Sequence, residues 1–330
     1  MLRWNRLFVT GLVLHVALSA GSVRAQTVQA GDAIPGKTVH LIVAFPPGGG
    51  QDLVARVIAP KLGAALDKAV IVENSTGGAG FVGIMAVARS KPDGSTLLIN
   101  TMGMAVNAAM YRQLPYDAVK DLRPTALVGT TPFYIGVTPQ LGVKGLKDFI
   151  ELARKSPGKL KGASFATSTG NASIELLRQK AGIDVVTVAY RGVAPAAAAT
   201  AAGETDFLMV DGASILPFID SGRLQGLAVA SKERATERPQ LPTMIESGVP
   251  DFVIDSWFGI FVRGGTPDSI VARWNAEINK VLQLEDVQQR LRSIGMTPVA
   301  ESQAAFSRRY EDEIARWKDV VAKGNIPLLD

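Results

Sequence analysis

Residues 39–52, VHLIVAFPPGGGQD, constrain the fold of this chain more than any other segment. An apolar run typical of a buried strand leads into a turn of two prolines and three glycines, and a helical pattern follows. Because the first N–H groups of a helix have no partner within the helix, a turn of this kind presents backbone donors to an anion. The segment therefore predicts a strand, an anion-binding turn and a helix.

A second strand, loop and helix pattern at 163–180 is similar to the first. Its loop, 167–173, carries hydroxyl and amide side chains around Gly170, just before the predicted helix. Such side chains cap helices, but one cap needs only one of them. The sequence therefore predicts two helix ends that face an anion, and a receptor that closes two lobes on a carboxylate.

Short apolar runs alternate with helical patterns along most of the chain, which is typical of an α/β fold with mainly parallel strands. The predicted strands cover 38–45, 70–73, 96–100, 160–166, 185–189, 207–210 and 224–230. The predicted helices cover 53–66, 146–155, 174–180, 194–201, 267–282 and 303–322.

The first 25 residues have the pattern of a secretory signal peptide. Arg3 and Arg6 precede an apolar run at 7–18, and small residues lead to Ala25, after which cleavage is predicted. The apolar run is shorter than the roughly 20 residues that span a membrane. We therefore expect an exported chain that works in the periplasm.

The composition narrows the classes of function. The chain has no cysteine, so it forms no disulfide and carries no lipid-modified cysteine. Its formal net charge is +5, and three of the positive charges, on Arg3, Arg6 and Arg24, lie in the leader, which leaves +2. Because this charge is small and no basic run is interleaved with aromatic residues, nucleic acid is not expected as a partner.

The mature chain, at about 305 residues, is long enough for two domains. Segment 123–139 is predicted to carry the chain from the first lobe to the second, and segment 228–235 to carry it back. The first lobe would then comprise 26–134 and 231–330, and the second lobe 135–230. The two crossings would form a hinge that opens and closes an interlobe cleft.

Two further groups of residues fall at the carboxyl ends of predicted strands, where open α/β sheets bind ligands. Tyr190, Arg191 and Gly192 follow one strand, and Asp211 ends another. Tyr190 could equally be a core residue, Arg191 a solvated surface charge, and Asp211 the cap of the next helix. Asp52 is interpreted as a helix cap.

Residues 78–83 match the dinucleotide fingerprint G-x-G-x-x-G. The acidic residue that would hold the ribose is missing, since the next predicted strand ends in Asn100. We interpret these glycines as a turn that begins a helix and faces the cleft, and we expect no cofactor.

Residues suited to catalysis or metal binding are scarce. His40 is the only histidine after the leader, and its apolar strand predicts a buried structural role. Without cysteine or paired carboxylates, neither a catalytic dyad nor a metal cluster is easy to assemble. The sequence therefore favours a binding protein over an enzyme, with no metal.

Eight segments, in order along the mature chain, resemble the Bug-type periplasmic substrate-binding proteins of tripartite tricarboxylate transporters. They are VHLIVAFPPGGGQDLVARVIAPKL, VIVENSTGGAGFVG, KPDGSTLLI, YDAVKDLRP, VAYRGVAPA, DFLMVD, LAVASKERATERPQLPTMIESGVPDF and WFGIFVRGGTP. The resemblance implies a type II periplasmic-binding-protein fold with two lobes, a hinge and a cleft, and no enzymatic activity. It also implies delivery of a small organic acid to membrane permease subunits, and we expect a monomer.

In that family the ligand's carboxylate is held largely by backbone N–H groups of the two loops, often through water. Carried over to this chain, the resemblance gives ligand-binding residues at four places, and Thr101, which follows the predicted strand 96–100, is added to the set. These residues are Phe45, Pro46, Pro47, Gly48, Gly49, Gly50, Thr101, Ser168, Thr169, Gly170, Asn171, Ala172, Ser173, Tyr190, Arg191, Gly192 and Asp211.

The chain also departs from the family. Glu175 occupies a position where histidine is frequent, and Ala189 one where proline is frequent. The apolar segment 101–104 indicates a ligand with an aromatic or aliphatic body. Two other functions stay open: an orphan sensor that signals to a membrane kinase, and a hydrolase that uses the glycine-rich turn as an oxyanion hole.

Overall fold

The computed structural model describes residues 34–165, 168–323 and 328–329. The predicted signal peptide lies outside these residues. The described strands are β1 (Thr38–Val43), β2 (Ala69–Asn74), β3 (Thr96–Thr101), β4 (Leu122–Val137), β5 (Lys161–Phe165), β6 (Val186–Tyr190), β7 (Phe207–Asp211), β8 (Gln225–Val229), β9 (Asp255–Arg263) and β10 (Thr297–Pro298). The described α-helices are α1 (Gly50–Leu66), α2 (Phe81–Ala88), α3 (Gly103–Met110), α4 (Leu146–Lys155), α5 (Ser168–Ala181), α6 (Val193–Ala202), α7 (Gly212–Asp220), α8 (Asp268–Leu282), α9 (Glu285–Ser293) and α10 (Gln303–Lys323).

The strands are hydrogen-bonded in the order β2-β1-β3-β9-β4-β7-β5-β6, and β8 and β10 also pair with β4. We call the strands β1–β3, β9 and β10 with helices α1–α3 and α8–α10 the first half, and β5–β8 with α4–α7 the second half. The strands β2, β1 and β3 are parallel, as are β7, β5 and β6. The prediction of mainly parallel strands is therefore right for the outer parts and wrong for the centre, where β4 and β9 run antiparallel to their neighbours.

Strand β4 belongs to both halves. It pairs with β9 from Leu122 to Pro132, and with β7 from Phe133 to Val137. Two prolines interrupt its sequence, and the register with β9 shifts beside Pro124. Because proline lacks an N–H donor, it is tolerated in a strand mainly at such irregularities. The segment that the sequence indicated as a crossing is thus one long, irregular strand.

Three backbone hydrogen bonds link Phe133 of β4 with Ala230 and Ile254 and these two residues with each other. Ala230 N donates to Phe133 O over 2.8 Å, Ile254 N donates to Ala230 O over 2.9 Å, and Phe133 N donates to Ile254 O over 3.0 Å. The chain therefore leaves the first half on β4 and returns to it between residues 230 and 254, and these crossing points are neighbours in space.

Helices cover both faces of the first half, because its strands bury side chains alternately on either side. Leu41 and Val43 pack in one cluster with Trp274 of α8, while Ile42 lies in the other with Phe306 of α10. The prediction that His40 is buried is wrong. Its side chain is 43% exposed, and Nδ1 lies 2.6 Å from Glu73 Oε1 on the neighbouring strand β2.

Within the described residues, none of the helices has both the length and the apolar character needed to cross a membrane. The same residues contain no group of three or more His, Asp or Glu side chains placed to hold a metal ion.

Candidate functional site

A cleft lies where the two halves meet, and the starts of several helices line it. From the first half it receives the β1–α1 turn, the end of β3 and part of α3, and from the second half the starts of α5, α6 and α7. The predicted site residues that line it are Phe45, Pro46, Gly49, Gly50, Thr101, Thr169 and Asp211. The 78–83 turn also reaches the cleft through Ala79, at the start of a helix as the sequence indicated.

The β1–α1 turn is held by side chains that follow it in the chain. Gly48 has a φ of +85°, a conformation that suits glycine, and its N–H donates to Asp52 Oδ2 over 3.0 Å. Arg56 Nε donates to the same oxygen over 3.0 Å, and Asn74 Nδ2 donates to Asp52 Oδ1 over 3.1 Å. Asp52 therefore holds this turn from the third position of α1, whereas the sequence indicated a helix cap; the N-cap residue of α1 is Gly49, which has no side chain to cap the helix.

The ionisation of Asp52 follows from these contacts. Burial removes water from the carboxylate and favours the neutral acid, which acts to raise the pKa. Hydrogen bonds from Arg56, Gly48 and Asn74 outweigh that effect and lower the pKa of Asp52 below its ordinary value. Asp52 is therefore a permanent anion at physiological pH, and its charge faces Arg56 at the surface.

A hydrogen bond across the cleft joins α1 to α7. Gly50 N donates to Ser214 Oγ over 3.0 Å, and Ser214 Oγ in turn donates to Asp211 Oδ2 over 3.0 Å. A Cβ placed on Gly50 would lie 2.7 Å from Ser214 Oγ and 2.9 Å from Asp211 Oδ1. The halves can approach this closely only because residue 50 has no side chain.

Asp211 caps α7, which was one of its two expected roles. Its Oδ1 accepts a hydrogen bond from Ser214 N over 3.0 Å. Burial raises the pKa of Asp211 to about 6, although the hydrogen bonds from Ser214 oppose this. The cleft thus contains a carboxyl group that changes its charge near pH 6.

The start of α5 uses most of its polar side chains within the second half. Ser173 Oγ donates to Gly170 O over 2.9 Å, and Asn171 Oδ1 accepts a hydrogen bond from Ser164 Oγ. Thr169 lines the cleft, while Asn171, Ala172 and Ser173 face a neighbouring cavity. Helix α5 begins at Ser168, several residues before its predicted start, so this loop is part of the helix.

That neighbouring cavity has a volume of about 1000 Å³ and lies between α5, segment 253–257 and α10. It shares Thr169 and Ser256 with the cleft. Apolar side chains such as Met102, Trp257 and Trp317 form much of its wall. It therefore offers room for the apolar ligand body that segment 101–104 indicated.

The remaining predicted residues lie outside the cleft lining. Pro47 and Arg191 are exposed, and Tyr190 is half-buried against the α6–α7 core. Gly192 lies beneath Pro46, where an added Cβ would be 3.0 Å from the proline ring. Gly48 and Gly170 shape the backbone near the site. The ligand-binding role of every residue in the set stays a prediction.

Sequence reasoning missed several polar residues of the cleft, namely Gln51, Asn100, Asn107, Ser214 and Ser256. The signal for Gln51 and Asn100 was position, since one follows the glycine turn and the other ends a predicted strand. Ser214 and Ser256 come from segments that were not assigned to the cleft.

Together, two halves joined at neighbouring crossings, with helix starts facing a shared cleft, define a two-lobed solute-binding protein. The sequence model of the family described as the tripartite tricarboxylate transporter family receptor matches residues 54–326 of this chain. The chain belongs to this family, and the resemblance found in the sequence is confirmed.

Three solved structures are similar to the chain. The periplasmic binding protein BugD is 26% identical, with a TM-score of 0.85, over 89% of this chain and 100% of BugD. A protein from R. palustris solved with adipate is 33% identical, with a TM-score of 0.85, over 89% and 99% of the two chains. MatC from Rhodopseudomonas palustris with bound malate is 31% identical, with a TM-score of 0.81, over 87% and 99%. These similarities confirm the predicted two-lobed fold.

Proposed function

We propose that this chain is an extracytoplasmic receptor that closes two lobes over a small organic acid. The observation that carries the proposal is the cleft itself, which the starts of α1 and α5 line from opposite halves. Helix starts carry unpaired N–H groups and the positive end of the helix dipole, so they stabilise a carboxylate without a buried lysine or arginine. The adipate and malate bound by two similar proteins are acids of this kind.

We infer that the first lobe comprises 26–134 and 231–330, and the second lobe 135–230. The change in the pairing of β4 between Pro132 and Phe133 supports a boundary there. The hydrogen bonds among Phe133, Ala230 and Ile254 support a hinge at these three residues. In small-angle scattering, a saturating acid should decrease the radius of gyration, whereas an unchanged radius would contradict closure.

The family match supports export and transport. We propose that residues 1–25 are removed after Ala25 in the periplasm and that the monomeric receptor delivers its acid to membrane permease subunits, without catalysis. N-terminal sequencing of the periplasmic protein tests the cleavage site. Uptake of the acid should require both receptor and permease, and uptake that persists without the receptor would contradict the transport role.

Thermal unfolding with a panel of mono-, di- and tricarboxylates tests the binding function. An acid present at about 100 times its Kd should add roughly 2.7 kcal/mol to the free energy of unfolding. The methyl esters of the same acids are matched controls, because they keep the ligand body and remove the charge. If an acid and its ester stabilise the protein equally, or if neither of them stabilises it, the protein is not a carboxylate receptor.

A further inference from the structure

Two amide side chains, Gln51 and Asn100, lie side by side in the wall of the cleft. Gln51 is the second residue of α1, and Asn100 is the penultimate residue of β3. They are 8% and 2% exposed, and Gln51 Nε2 donates to Asn100 Oδ1 over 3.3 Å. The proposed function above gives this pair no role.

The hydrogen bonds fix which way both amides point. The backbone N–H of Thr101 lies 2.8 Å from Asn100 Oδ1, and because an N–H can only donate, the Asn100 atom at that position is the oxygen. The Gln51 atom that contacts this oxygen must then be a donor, which is the nitrogen Nε2. Gln51 Oε1 is left as an acceptor and Asn100 Nδ2 as a donor.

Neither of these two remaining atoms has a hydrogen-bond partner among the described residues, and both atoms are buried. The two amides could satisfy each other through a reciprocal bond, but the structure does not form it. Buried polar groups are nearly always paired, so an unpaired acceptor and an unpaired donor on the wall of a ligand cleft point to a group of the ligand.

Resting on the proposed carboxylate receptor, we propose that Gln51 and Asn100 select acids that carry a neutral group able both to donate and to accept a hydrogen bond. A hydroxyl or a carboxamide has this chemistry, since it donates to Gln51 Oε1 and accepts from Asn100 Nδ2. A second carboxylate is a poor match, because an ionised carboxylate only accepts and would face the Gln51 oxygen. A methylene would leave both atoms unpaired.

Calorimetry on the mature protein tests this selectivity with acids that differ in one group. The probes are succinate against malate, glutarate against 2-hydroxyglutarate, adipate against 2-hydroxyadipate, and succinate against succinamate. In at least one pair, the acid with the hydroxyl or carboxamide should bind at least about tenfold more tightly, because sites built around such a group strongly reject analogues that lack it.

Two near-isosteric variants assign the effect to the pair. Gln51→Met and Asn100→Leu each remove one of the unpaired atoms and should reduce the preference to about twofold or less, while the acid without the extra group still binds. Asn100→Leu also removes the acceptor for Thr101 N. If Asn100→Leu does not fold for this reason, Gln51→Met alone tests the proposal. Gln303→Met is the matched control. Its Nε2 donates to Pro124 O over 2.9 Å, outside the cleft lining, and the variant should keep the full preference.

The outcomes distinguish the selectivity of Gln51 and Asn100 from the carboxylate receptor on which it rests. Acids that bind the wild-type protein with no preference in any pair would overturn the selectivity of Gln51 and Asn100 alone. A preference that persists in the Gln51→Met variant would overturn it as well. If no acid of the panel binds, the carboxylate receptor fails and this inference fails with it.

Discussion

The β1–α1 turn and the start of α5 have similar sequence patterns but different connections in the structure. The first is held by Asp52 and Asn74, and it crosses the cleft through Gly50. The second satisfies Asn171 and Ser173 within its own half and presents Thr169 to the cleft. Helix starts that look equivalent in sequence can thus differ in their hydrogen bonds. The start of α1 is bonded across the cleft, whereas Asn171 and Ser173 of α5 are bonded within their own half.

Adding a side chain at residue 50 should have the largest effect, because it removes the contact of α1 across the cleft. In Gly50→Val the new side chain would occupy the position of Ser214 Oγ, so the halves could not close and affinity for the tightest acid of the panel should fall at least about 100-fold, roughly 2.7 kcal/mol. Gly145→Ala is the matched control. Gly145 lies outside the cleft lining, a Cβ there would have nothing within 4 Å, and calorimetry should give less than a threefold loss. Equal losses in both variants would mean that closure does not depend on residue 50.

Removing the cap of the first turn should cost more stability than removing its counterpart in α5. Asp52→Ala removes the acceptor shared by the Gly48 N–H and the Arg56 and Asn74 side chains, and should lower the free energy of unfolding by about 2 to 3 kcal/mol. Ser173→Ala removes one neutral hydroxyl and should cost about 1 kcal/mol. Urea denaturation measures the free energy of unfolding of both variants. A larger loss in Ser173→Ala would contradict the view that the first turn depends more strongly on its side-chain hydrogen bonds.

The buried carboxyl of Asp211 should make stability depend on pH. Burial raises its folded-state pKa to about 6, above the ordinary 3.8, so its favourable contribution is complete below about pH 4 and is lost as the pH rises through 6. Asp211→Asn keeps an oxygen to cap Ser214 N and cannot ionise. Relative to this variant, the wild-type protein should lose about 2 to 3 kcal/mol between pH 4 and pH 7 in urea denaturation. A constant difference between the two proteins would contradict the raised pKa.

The smallest effect is expected at Arg191. Its side chain is exposed and lies outside the cleft lining, so Arg191→Ala should change acid affinity by less than about twofold. A loss above tenfold in calorimetry would restore the ligand-binding role that the sequence predicted for this residue.

Much of the fold was predictable because strongly periodic segments follow their local preferences. The helix predicted at 303–322 is α10, and the strand at 207–210 is β7 extended by one residue. Strand β4 was not recognised, since Pro124 and Pro132 argue against a strand wherever tertiary pairing cannot be seen. Strand β9 was missed as well, although its apolar sequence formed part of the family resemblance.

The site was predictable where it depends on the local backbone and not where it depends on distant residues. The β1–α1 turn could be identified from its glycines alone. The partners Ser214 and Gly50 are 164 residues apart, and Gln51 and Asn100 are 49 apart, so only the folded chain brings each pair together. The exposure of His40 was also beyond the sequence, because it depends on how the folded chain packs around the start of β1.

The position of β9 between β3 and β4 also bears on how the protein is made. Strand β3 pairs with β1 on one side, and its other edge has no partner strand until residues 255–263 have been synthesised. A nascent chain therefore cannot finish its amino-terminal sheet until most of its length has been synthesised. If the chain is exported as we propose, late completion would keep it unfolded during passage across the membrane. A chain truncated before β9 should expose the open sheet edges that lead to aggregation.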